Sequence, residues 1–397
     1  SPKHEFLKMV EKTSPEEPSA QQHMALGIDL GSDRSVSSLL VGPPFGQPTL
    51  VRNNLSNDST PTAVAFSSNQ RRCVGDEALE QPASNAGNII SNLPKRLGTS
   101  GPVSVGYGVD GACEDFSLEH CLAMYLSELT AHAVTQKGSA PTHTIISCPQ
   151  AYSAAQYKAV ADAARIAGIP NVSLSSSCAS LAFHYSERHG DDAFPPQDTA
   201  DPRLVLLIDV GCSYSSAAVA AYSADRRISV LSSVGTDKVG GGVADEVLMG
   251  HFRQQLQSKH GDAASGTKFE HRLRRGCEKL KKLLSTVENA KVDADSLLPD
   301  ADVSLTLKRA ELDALLKPSL EALSGIIAEA MSEAGAAAGG LSGVEVIGGG
   351  ARIPCILETI RVASGHSQTK HTLDSSAAVA FGAASLAKLL LAGGDAG

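Results

Sequence analysis

Two short stretches of nearly the same sequence carry the side chains that could do chemistry in this chain. The first, LGIDLGSDRS, contains Asp29 and Gly31, and the second, LIDVGCSYS, contains Asp209 and Gly211. Both pairs are separated by the same offset of 180 residues (209 − 29 and 211 − 31). In each stretch an apolar run leads to the aspartate, small polar residues follow the glycine and a second apolar run returns. This pattern predicts a β-hairpin with the aspartate and the glycine at its tip.

The two predicted hairpin tips have the composition of a phosphate site. A glycine at a tight turn lets backbone N–H groups come close to an anion, and neighbouring hydroxyl groups add hydrogen-bond donors. Because a carboxylate repels phosphate oxygens, the aspartates would instead hold the waters of a Mg²⁺ ion that bridges those oxygens. The alternative is two ordinary hairpins with an aspartate in the turn, but repetition at unchanged spacing favours the phosphate site.

Two glycine clusters and a basic helix are further candidates for ligand binding. Glycines 240–242 precede a helix predicted to begin near Asp245, so they could offer amides to phosphate or form a flexible turn. Glycines 348–350 follow a predicted strand, where the backbone could approach a flat ligand and Arg352 could stack on it. The basic helix, predicted over residues 270–285, is either a solvated face with internal salt bridges or a polar strip that binds a ring and a ribose. Its polar residues with i, i+3, i+4 and i+7 spacing are Glu278, Lys281, Lys282 and Ser285.

The elements that must position these residues alternate between strands and helices. Leucines at three- and four-residue spacing predict a helix over residues 117–136, and a strand is predicted over residues 144–147. Ser153 and Gln156 form a capping box that starts a helix ending at Gly168. This order is typical of an α/β protein.

Length and composition narrow the class of protein. At 397 residues the chain exceeds what one core usually serves, which indicates two lobes. A net charge of −9 and the absence of tryptophan disfavour nucleic-acid binding, and no run of eighteen apolar residues could span a membrane. The eight cysteines form no C-x-x-C pair, which indicates reduced thiols in the cytoplasm rather than the endoplasmic reticulum lumen, and no zinc site.

Taken together, the motifs resemble the nucleotide-binding domain of the seventy-kilodalton heat-shock chaperones. The resemblance covers residues 25–391 and rests on the order of IDLG, DVG, the glycine pair at 240, residues 277–285 and residues 348–354. The segments CEKLKK and GGARIP look closer to the hundred-and-ten-kilodalton branch, which serves mainly as a nucleotide-exchange partner and holdase. The resemblance implies an actin-like duplicated ATPase fold with two lobes around a central nucleotide cleft.

The resemblance also implies a division of the chain into segments. Residues 1–24 would be a flexible leader or a non-native extension, 25–203 lobe I and 204–376 lobe II. Residues 377–391 would form a helix that packs back towards lobe I, and residues 392–397 would begin a linker.

The same resemblance implies roles for single residues. Asp29 and Asp209 would orient Mg²⁺ through its waters, and Lys95 would point at the γ-phosphate and act with Asp209 in catalysis. The phosphates of ATP or ADP would be held at Gly31, Ser32, Gly211, Cys212, Ser213, Gly240 and Gly241. Adenosine would be held by Glu278, Lys281, Lys282, Ser285, Gly349, Gly350 and Arg352.

Departures from the family pattern bear on hydrolysis. The glutamate that helps organise magnesium and the attacking water is Ser177 here, and the aspartate of the family's Asn-Pro-Asp-Glu motif is Ser376. Asp33 adds a negative charge beside the phosphates, which disfavours ATP unless a cation such as Arg34 faces it. Because losing one acid or base group slows phosphoryl transfer by about 10²–10⁴-fold, hydrolysis is expected to be slow or absent.

The resulting hypothesis is an ATP-binding module whose nucleotide state sets lobe closure and the binding of partner proteins. The expected partners are other heat-shock chaperones or co-chaperones, with client polypeptides only if a peptide-binding domain follows. Three alternatives stay open: an active chaperone ATPase, a scaffold that has lost nucleotide, and a sugar or acetate kinase of the same fold, which would lack an evident substrate aspartate.

Overall fold

The computed structural model describes residues 23–67, 70–81, 83–98, 101–108, 112–294, 296–298 and 301–394. Strands and helices alternate through these residues, so the predicted α/β class is confirmed. The first strand begins at His23, so the last two residues of the predicted leader belong to the fold. The rest of that segment, residues 1–22, and the predicted linker residues 395–397 lie outside the described residues.

The strands are numbered in chain order. They are β1 (His23–Asp29), β2 (Arg34–Gly42), β3 (Thr49–Leu50), β4 (Thr60–Pro61), β5 (Ala63–Ser67), β6 (Arg71–Val74), β7 (Ile89–Ser91), β8 (Val103–Gly106), β9 (Cys113–Phe116), β10 (His143–Cys148), β11 (Val172–Ser176), β12 (Arg203–Val210), β13 (Ser215–Tyr222), β14 (Ile228–Thr236), β15 (Asn289–Ala294), β16 (Val303–Lys308) and β17 (Leu341–Ile347).

The helices follow the same convention. They are α1 (Asp76–Leu79), α2 (Leu93–Arg96), α3 (Leu118–Lys137), α4 (Ala154–Ile166), α5 (Ser177–His189), α6 (Gly241–His260), α7 (Thr267–Leu284), α8 (Arg309–Leu315), α9 (Lys317–Glu333), α10 (Pro354–Ser364) and α11 (Ala378–Gly394). Within the described ranges, none of these helices is both long enough and apolar enough to cross a membrane.

Both predicted hairpins are present, each at the centre of a sheet. β1 pairs antiparallel with β2, with Asp29 opposite Val36, and parallel with β10 on its other side. β12 pairs antiparallel with β13, with Asp209 opposite Ser216, and parallel with β17 on its other side. The strand orders are β11-β10-β1-β2-β3 and β14-β13-β12-β17. The duplication therefore extends from the motif to the pairing of the strands around it.

Each sheet packs on its own hydrophobic core. The first large cluster runs from Met24 to Ile169, and the second runs from Leu206 to Ile360. We call residues 23–176 the N-terminal half and residues 203–364 the C-terminal half. Separate cores of this kind let each half hold its shape independently of the other.

Helices α5 and α11 lie where the two sheets meet. α11 packs on β1, β2 and β10 and against α5, and α5 also contacts strands of the second sheet. Gly382 makes this close packing possible, because a Cβ atom there would overlap the carbonyl oxygen of Ser180. The C-terminal helix thus returns to the N-terminal sheet.

Most predicted elements occur with shifted ends. The helix expected to begin near Asp245 begins at Gly241, so two of the three glycines lie inside it. The capping box of Ser153 and Gln156 is present at the start of α4. The segment 189–203, predicted as a lobe boundary or exposed loop, begins as the last residue of α5 and a short 3₁₀ turn.

Candidate functional site

The two motif aspartates lie close enough for their charges to interact. Asp29 is the last residue of β1, and Asp209 is the penultimate residue of β12. Burial raises the pKa of Asp29 to about 8, with a further contribution from the charge of Asp209. Burial also raises the pKa of Asp209, to about 6. The structure therefore brings the two carboxyl groups together, one from each half.

The electrostatics of this pair are those of a cation site with few protein ligands. No lysine or arginine in the described ranges contributes to lowering either pKa. Those ranges also contain no group of three or more histidine, cysteine, aspartate or glutamate side chains placed to hold a metal ion. Two carboxylates alone fit an ion such as Mg²⁺, which usually keeps several waters and completes its shell with phosphate oxygens. Asp29 and Asp209 would hold it.

The tip of the first hairpin has its carbonyl groups tied back and its amides open. Thr62 donates from its hydroxyl to the carbonyl oxygen of Gly31 (2.7 Å) and from its amide to that of Asp33 (2.8 Å). A Cβ atom on Gly31 would overlap the carbonyl oxygen of Arg34, so only glycine fits this turn. In the described part of the chain, the amides of Ser32 and Asp33 donate no hydrogen bond. They are the available anion donors of this tip.

The tip of the second hairpin is arranged in the same way with different partners. The amides of Gly241 and Gly242 donate to the carbonyl oxygens of Gly211 (2.9 Å) and Cys212 (2.8 Å). A Cβ atom on Gly240 would overlap the carbonyl oxygen of Cys212. Among the described residues, nothing accepts from the amides of Cys212, Ser213 or Gly240. The amides of Gly31, Gly211 and Gly241, by contrast, are occupied by acceptors within the protein.

The two hairpin tips lie close enough for a charge on one to affect the other. Burial is the main cause that raises the pKa of the Cys212 thiol on the second tip to about 11, and the charge of Asp33 on the first tip adds to this rise. The hypothesis that Arg34 offsets Asp33 is not supported. Arg34 donates to the hydroxyl (2.7 Å) and carbonyl (2.8 Å) oxygens of Ser59 and lies 3.7 Å from Asp76. Asp33 itself is exposed and has no ion-pair partner in the described residues.

A third glycine turn closes against the second hairpin. Gly348 has φ +86°, and a Cβ atom there would overlap the carbonyl oxygen of Val210. A Cβ atom on Gly350 would lie 2.7 Å from Cγ1 of Val210 and 2.9 Å from the carbonyl oxygen of Gly211. Gly349 between them has open space around it. The turn therefore packs backbone on backbone beside the second hairpin tip.

Arg352 lies at the edge of a small cavity next to this turn. The cavity has a volume of about 220 Å³ and is lined by Val346, Gly348, Ala351, Arg352, His371, Leu373 and Ser375. The guanidinium group of Arg352 donates to the hydroxyl of Ser375 at 3.5 Å. Ser376 lies next to Ser375, and its amide donates to Oδ1 of Asp374 (2.8 Å), as at a helix N-terminus.

The polar face of α7 is only partly free. Lys281 Nζ donates to Oδ2 of Asp245 (2.6 Å) and to the carbonyl oxygen of Gly241 (2.7 Å). Burial raises the pKa of Asp245 to about 6 although Lys281 opposes that shift. Ser285, at the end of the helix, donates to the carbonyl oxygen of Lys281 (3.1 Å). Lys282 is exposed and Glu278 half-buried. Lys281 thus ties α7 to the start of α6, which carries the glycines.

Lys95 lies in a cavity between the halves. The cavity has a volume of about 420 Å³ and is lined by Lys95, Ala151, Gln156, Tyr214, Gly235, Thr236 and Asp237. Lys95 is on the short helix α2 and is exposed, with no ion-pair partner in the described ranges. The ammonium group is therefore available to an anion that enters from the cleft.

Ser177 lies at the N-terminus of α5, near Asp209. Its neighbour Cys178 has a thiol pKa raised to about 11 by burial and, in smaller part, by the charge of Asp209. Ser176 caps the helix by accepting from the amide of Ala179 (3.2 Å). Ser177 is buried, so a short hydroxyl group occupies this position.

Two contributors to the site are not identified by the sequence patterns. The patterns give Asp245 only as the start of a helix, and Tyr214 only as one residue of the second motif. Tyr214 contacts Gln156, which is 58 residues away, and Asp245 contacts Lys281, 36 residues away. No local pattern signals either contact, since both depend on how distant elements pack.

Comparisons with known proteins agree on one family. The family model described as Hsp70 protein matches residues 25–396. Two heat shock protein homologs of Saccharomyces cerevisiae are each 30% identical to this chain over 381 residues, covering 90% of this chain and 54% of the relative. A heat shock protein homolog of Candida glabrata is 29% identical with the same coverage. The chain spans about half the length of the curated relatives it matches.

Proposed function

This chain belongs to the Hsp70 family, as its nucleotide-binding region, and we propose that it binds ATP or ADP with Mg²⁺ in a cleft between two lobes. The two halves would be lobes I and II of an actin-like duplicated fold, with α11 packed back on lobe I. One observation carries this proposal. Two hairpins from different halves bring Asp29 and Asp209 together and leave unpaired amides at both tips.

We assign the phosphates to the open amides of the hairpin tips and to Lys95. Ser32 and Asp33 would supply donors on one side, and Cys212 and Ser213 on the other. The amide of Gly240, at the N-terminus of the 20-residue helix α6, adds a donor and the positive end of a helix dipole. The glycines 31, 211 and 241 would act by permitting these turns, because their own amides are occupied.

Adenosine would lie between α7 and the third glycine turn. Lys281 is held by Asp245 at the start of α6, where its remaining donor capacity could reach a ribose hydroxyl. Arg352, beside the 220 Å³ cavity, could stack on the base, and Gly349 leaves space for close approach. Glu278, Lys282 and Ser285 complete the predicted face.

Bound Mg²⁺ would neutralise charge on the phosphates, and the chain's own residues would then determine how fast a phosphate is lost. Ser177 cannot accept a proton from water as a glutamate can, because a hydroxyl is a far weaker base than a carboxylate. Hydrolysis is therefore slow or absent in this proposal. Lys95 and Asp209 would position charge rather than remove a proton.

The nucleotide would act by holding the lobes together and so shaping their outer surfaces for a partner. Other heat-shock chaperones or co-chaperones are the proposed partners, with a role in nucleotide exchange or holdase support. Client polypeptides would be partners only if a peptide-binding domain follows this region. All eight cysteines are free thiols, which supports a cytoplasmic location.

Calorimetry with ATP and ADP, with and without Mg²⁺, tests this function. Both nucleotides should bind, and ligand at about 100 times Kd should add about 2.7 kcal/mol to the free energy of unfolding. Asp209→Asn keeps the shape of the side chain and should abolish the effect of Mg²⁺. An absence of heat and of stabilisation with either nucleotide would favour the scaffold alternative, for which the unpaired charge of Asp33 is the supporting observation.

The complex from the same titration also tests hydrolysis. After a single-turnover incubation, denatured protein should return intact ATP. Ser177→Glu restores a carboxylate and should speed ATP loss at least about tenfold, a lower bound set below the about 10²–10⁴-fold contribution of one acid–base group. Fast hydrolysis by the unaltered chain would instead favour the active-ATPase alternative.

A further inference from the structure

A tyrosine on the second hairpin tip crosses to the N-terminal half. Tyr214 belongs to the C-terminal half but packs against the N-terminal hydrophobic cluster. Its ring lies edge-on to that of Tyr152, with centroids 5.3 Å apart and planes at 75°. Edge-to-face pairs at this distance are favourable beyond the area that they bury.

The hydroxyl of Tyr214 is held by a side chain that cannot easily turn away. Gln156 Nε2 donates to that hydroxyl at 3.1 Å. The other end of the same amide, Oε1, accepts from the amide of Ser153 (3.0 Å) as part of the capping box of α4. Because the helix cap fixes Oε1, it also directs Nε2 at the tyrosine.

The contact continues from Tyr214 to the helix that carries Lys95. Tyr152, against which Tyr214 packs, donates from its hydroxyl to the carbonyl oxygen of Pro94 (3.2 Å). Pro94 directly precedes Lys95 on α2, a helix of only four residues. A chain of side chains therefore links the second hairpin tip to the position of Lys95.

A backbone contact closes the same cavity on another side. A Cβ atom on Gly235 of β14 would lie 2.5 Å from the amide nitrogen of Ala151, so the two backbones touch there. Gln150 also donates to the carbonyl oxygen of Ser233 at 3.5 Å. The contacts of Tyr214, Gln150 and Gly235 thus all join the C-terminal half to the N-terminal half.

We propose that Tyr214 is a positioning residue that fastens the two halves beside the Lys95 cavity and sets the location of Lys95 before nucleotide binds. The assignment of Lys95 to phosphate rests on the proposed function, whereas the fastening does not. Tyr214 then holds the cleft closed at this end before nucleotide binds. Bound nucleotide therefore has less opening motion between the halves to restrict. Nucleotide release requires the tyrosine to leave Tyr152 and Gln156.

The decisive measurement is the distance between the halves in the nucleotide-free protein. Spin labels carried by non-natural amino acids at the exposed positions Glu80 and Asp262 report it without using the native cysteines. Tyr214→Ala should lengthen and broaden the distance distribution. Tyr214→Phe keeps the ring, loses only the hydrogen bond, and should give a smaller change in the same direction.

Tyr157→Ala is the matched control. Tyr157 also packs edge-on against Tyr152, with ring centroids 5.9 Å apart, but it belongs to the same half as Tyr152. Its removal should leave the distance between the halves unchanged. If Tyr214→Ala and Tyr214→Phe fold and neither alters the distance distribution, the proposal is wrong, whatever the nucleotide results.

Nucleotide kinetics then separate fastening from the placement of Lys95. Tyr214→Ala should speed nucleotide dissociation about tenfold, and Tyr214→Phe about threefold, as expected for one neutral hydrogen bond. Tyr152→Phe removes the hydrogen bond to the Pro94 carbonyl oxygen but keeps the ring contact with Tyr214. It should therefore lower the affinity for ATP relative to ADP without changing the distance between the halves. If no nucleotide binds at all, the proposed function fails while the distance measurement still decides the fastening. An unchanged ATP-to-ADP ratio in Tyr152→Phe would refute the role in placing Lys95.

Discussion

The two hairpins share a motif and a strand pairing, but their tips are held by different parts of the molecule. The first tip is fixed within its own half, by Thr62 on its carbonyl groups and by Arg34 bonded to Ser59. The second tip is fixed by the amides of glycines 241 and 242 and, across the cleft, by Tyr214. The two motifs therefore share their strand pairing, whereas the contacts that support their tips differ.

Burial raises the pKa of both motif aspartates. Asp29, the last residue of β1, has its pKa raised to about 8, and Asp209, the penultimate residue of β12, has its pKa raised to about 6. Burial is the first cause at both positions, and the charges of the two carboxylates also interact. The sequence of the motif alone does not determine how strongly each aspartate holds a proton.

The largest expected difference between the hairpins is the change in the free energy of unfolding when the motif glycine of each is replaced by alanine. Gly31→Ala would place Cβ in overlap with the Arg34 carbonyl oxygen, whereas in Gly211→Ala the nearest atom, the Tyr214 carbonyl oxygen, is 3.0 Å away. We expect Gly31→Ala to lower the free energy of unfolding by about 3 kcal/mol and Gly211→Ala by about 1 kcal/mol or less. Urea unfolding midpoints give the comparison.

Gly250→Ala is the control for this pair. Gly250 lies inside α6, and a methyl group added there would have no neighbouring atom within 4 Å, so alanine should stabilise the helix by about 0.8–1.0 kcal/mol. If Gly250→Ala raises the free energy of unfolding while Gly31→Ala and Gly211→Ala lower it, steric overlap at the tips is the cause of the losses. Equal losses in Gly31→Ala and Gly211→Ala would show that the two turns are equally tight, contrary to the structure.

The second prediction uses pH to distinguish the two aspartates in protein free of nucleotide and Mg²⁺. The folded chain keeps a proton on Asp29 up to about pH 8, whereas the unfolded chain, with a pKa of 3.8, has released it. The free energy of unfolding should therefore fall as pH rises between these values, by at most about 1.4 kcal/mol per pH unit for one group. Asp209 contributes only up to about pH 6.

Two variants show which aspartate causes the fall in the free energy of unfolding as pH rises. Between pH 6 and 8, Asp29→Asn should remove most of the fall, which is at most about 2.7 kcal/mol over two pH units. Asp209→Asn should keep most of it, because burial is the larger cause of the shift at Asp29. Thermal unfolding across this range measures both. If the two variants flatten the curve equally, the difference between the aspartates is not what the structure indicates.

Local patterns were sufficient to predict the hairpins, the α4 capping box and the alternation of strands and helices. Each depends on residues a few positions apart, as Ser153 and Gln156 show. The predicted start of α6 was wrong because glycine has low helix propensity, yet the amides of Gly241 and Gly242 are held by the second hairpin. Contacts such as Lys281 with Asp245 could not be predicted, since they depend on the packing of separate helices.

The smallest predicted effect concerns the one acidic residue that distinguishes the tips. Asp33 has Ser213 as its counterpart at the 180-residue offset, so only the first tip carries an exposed carboxylate. Removing that charge in Asp33→Asn should raise ATP affinity about fivefold, or about 1 kcal/mol, the Coulomb energy of one charge pair near 4 Å in water. The gain should be smaller for ADP, which carries less charge.

Two comparisons make this last prediction specific to position. Glu80→Gln removes the same charge from an exposed site elsewhere in the N-terminal half and should leave ATP affinity unchanged. Ser213→Asp adds the charge to the second tip and should weaken ATP binding by a similar factor. Because exposed charges are screened, both effects should shrink as salt rises from about 0.01 M to 1 M. A gain in Glu80→Gln equal to that in Asp33→Asn would mean that net charge, not the hairpin tip, controls binding.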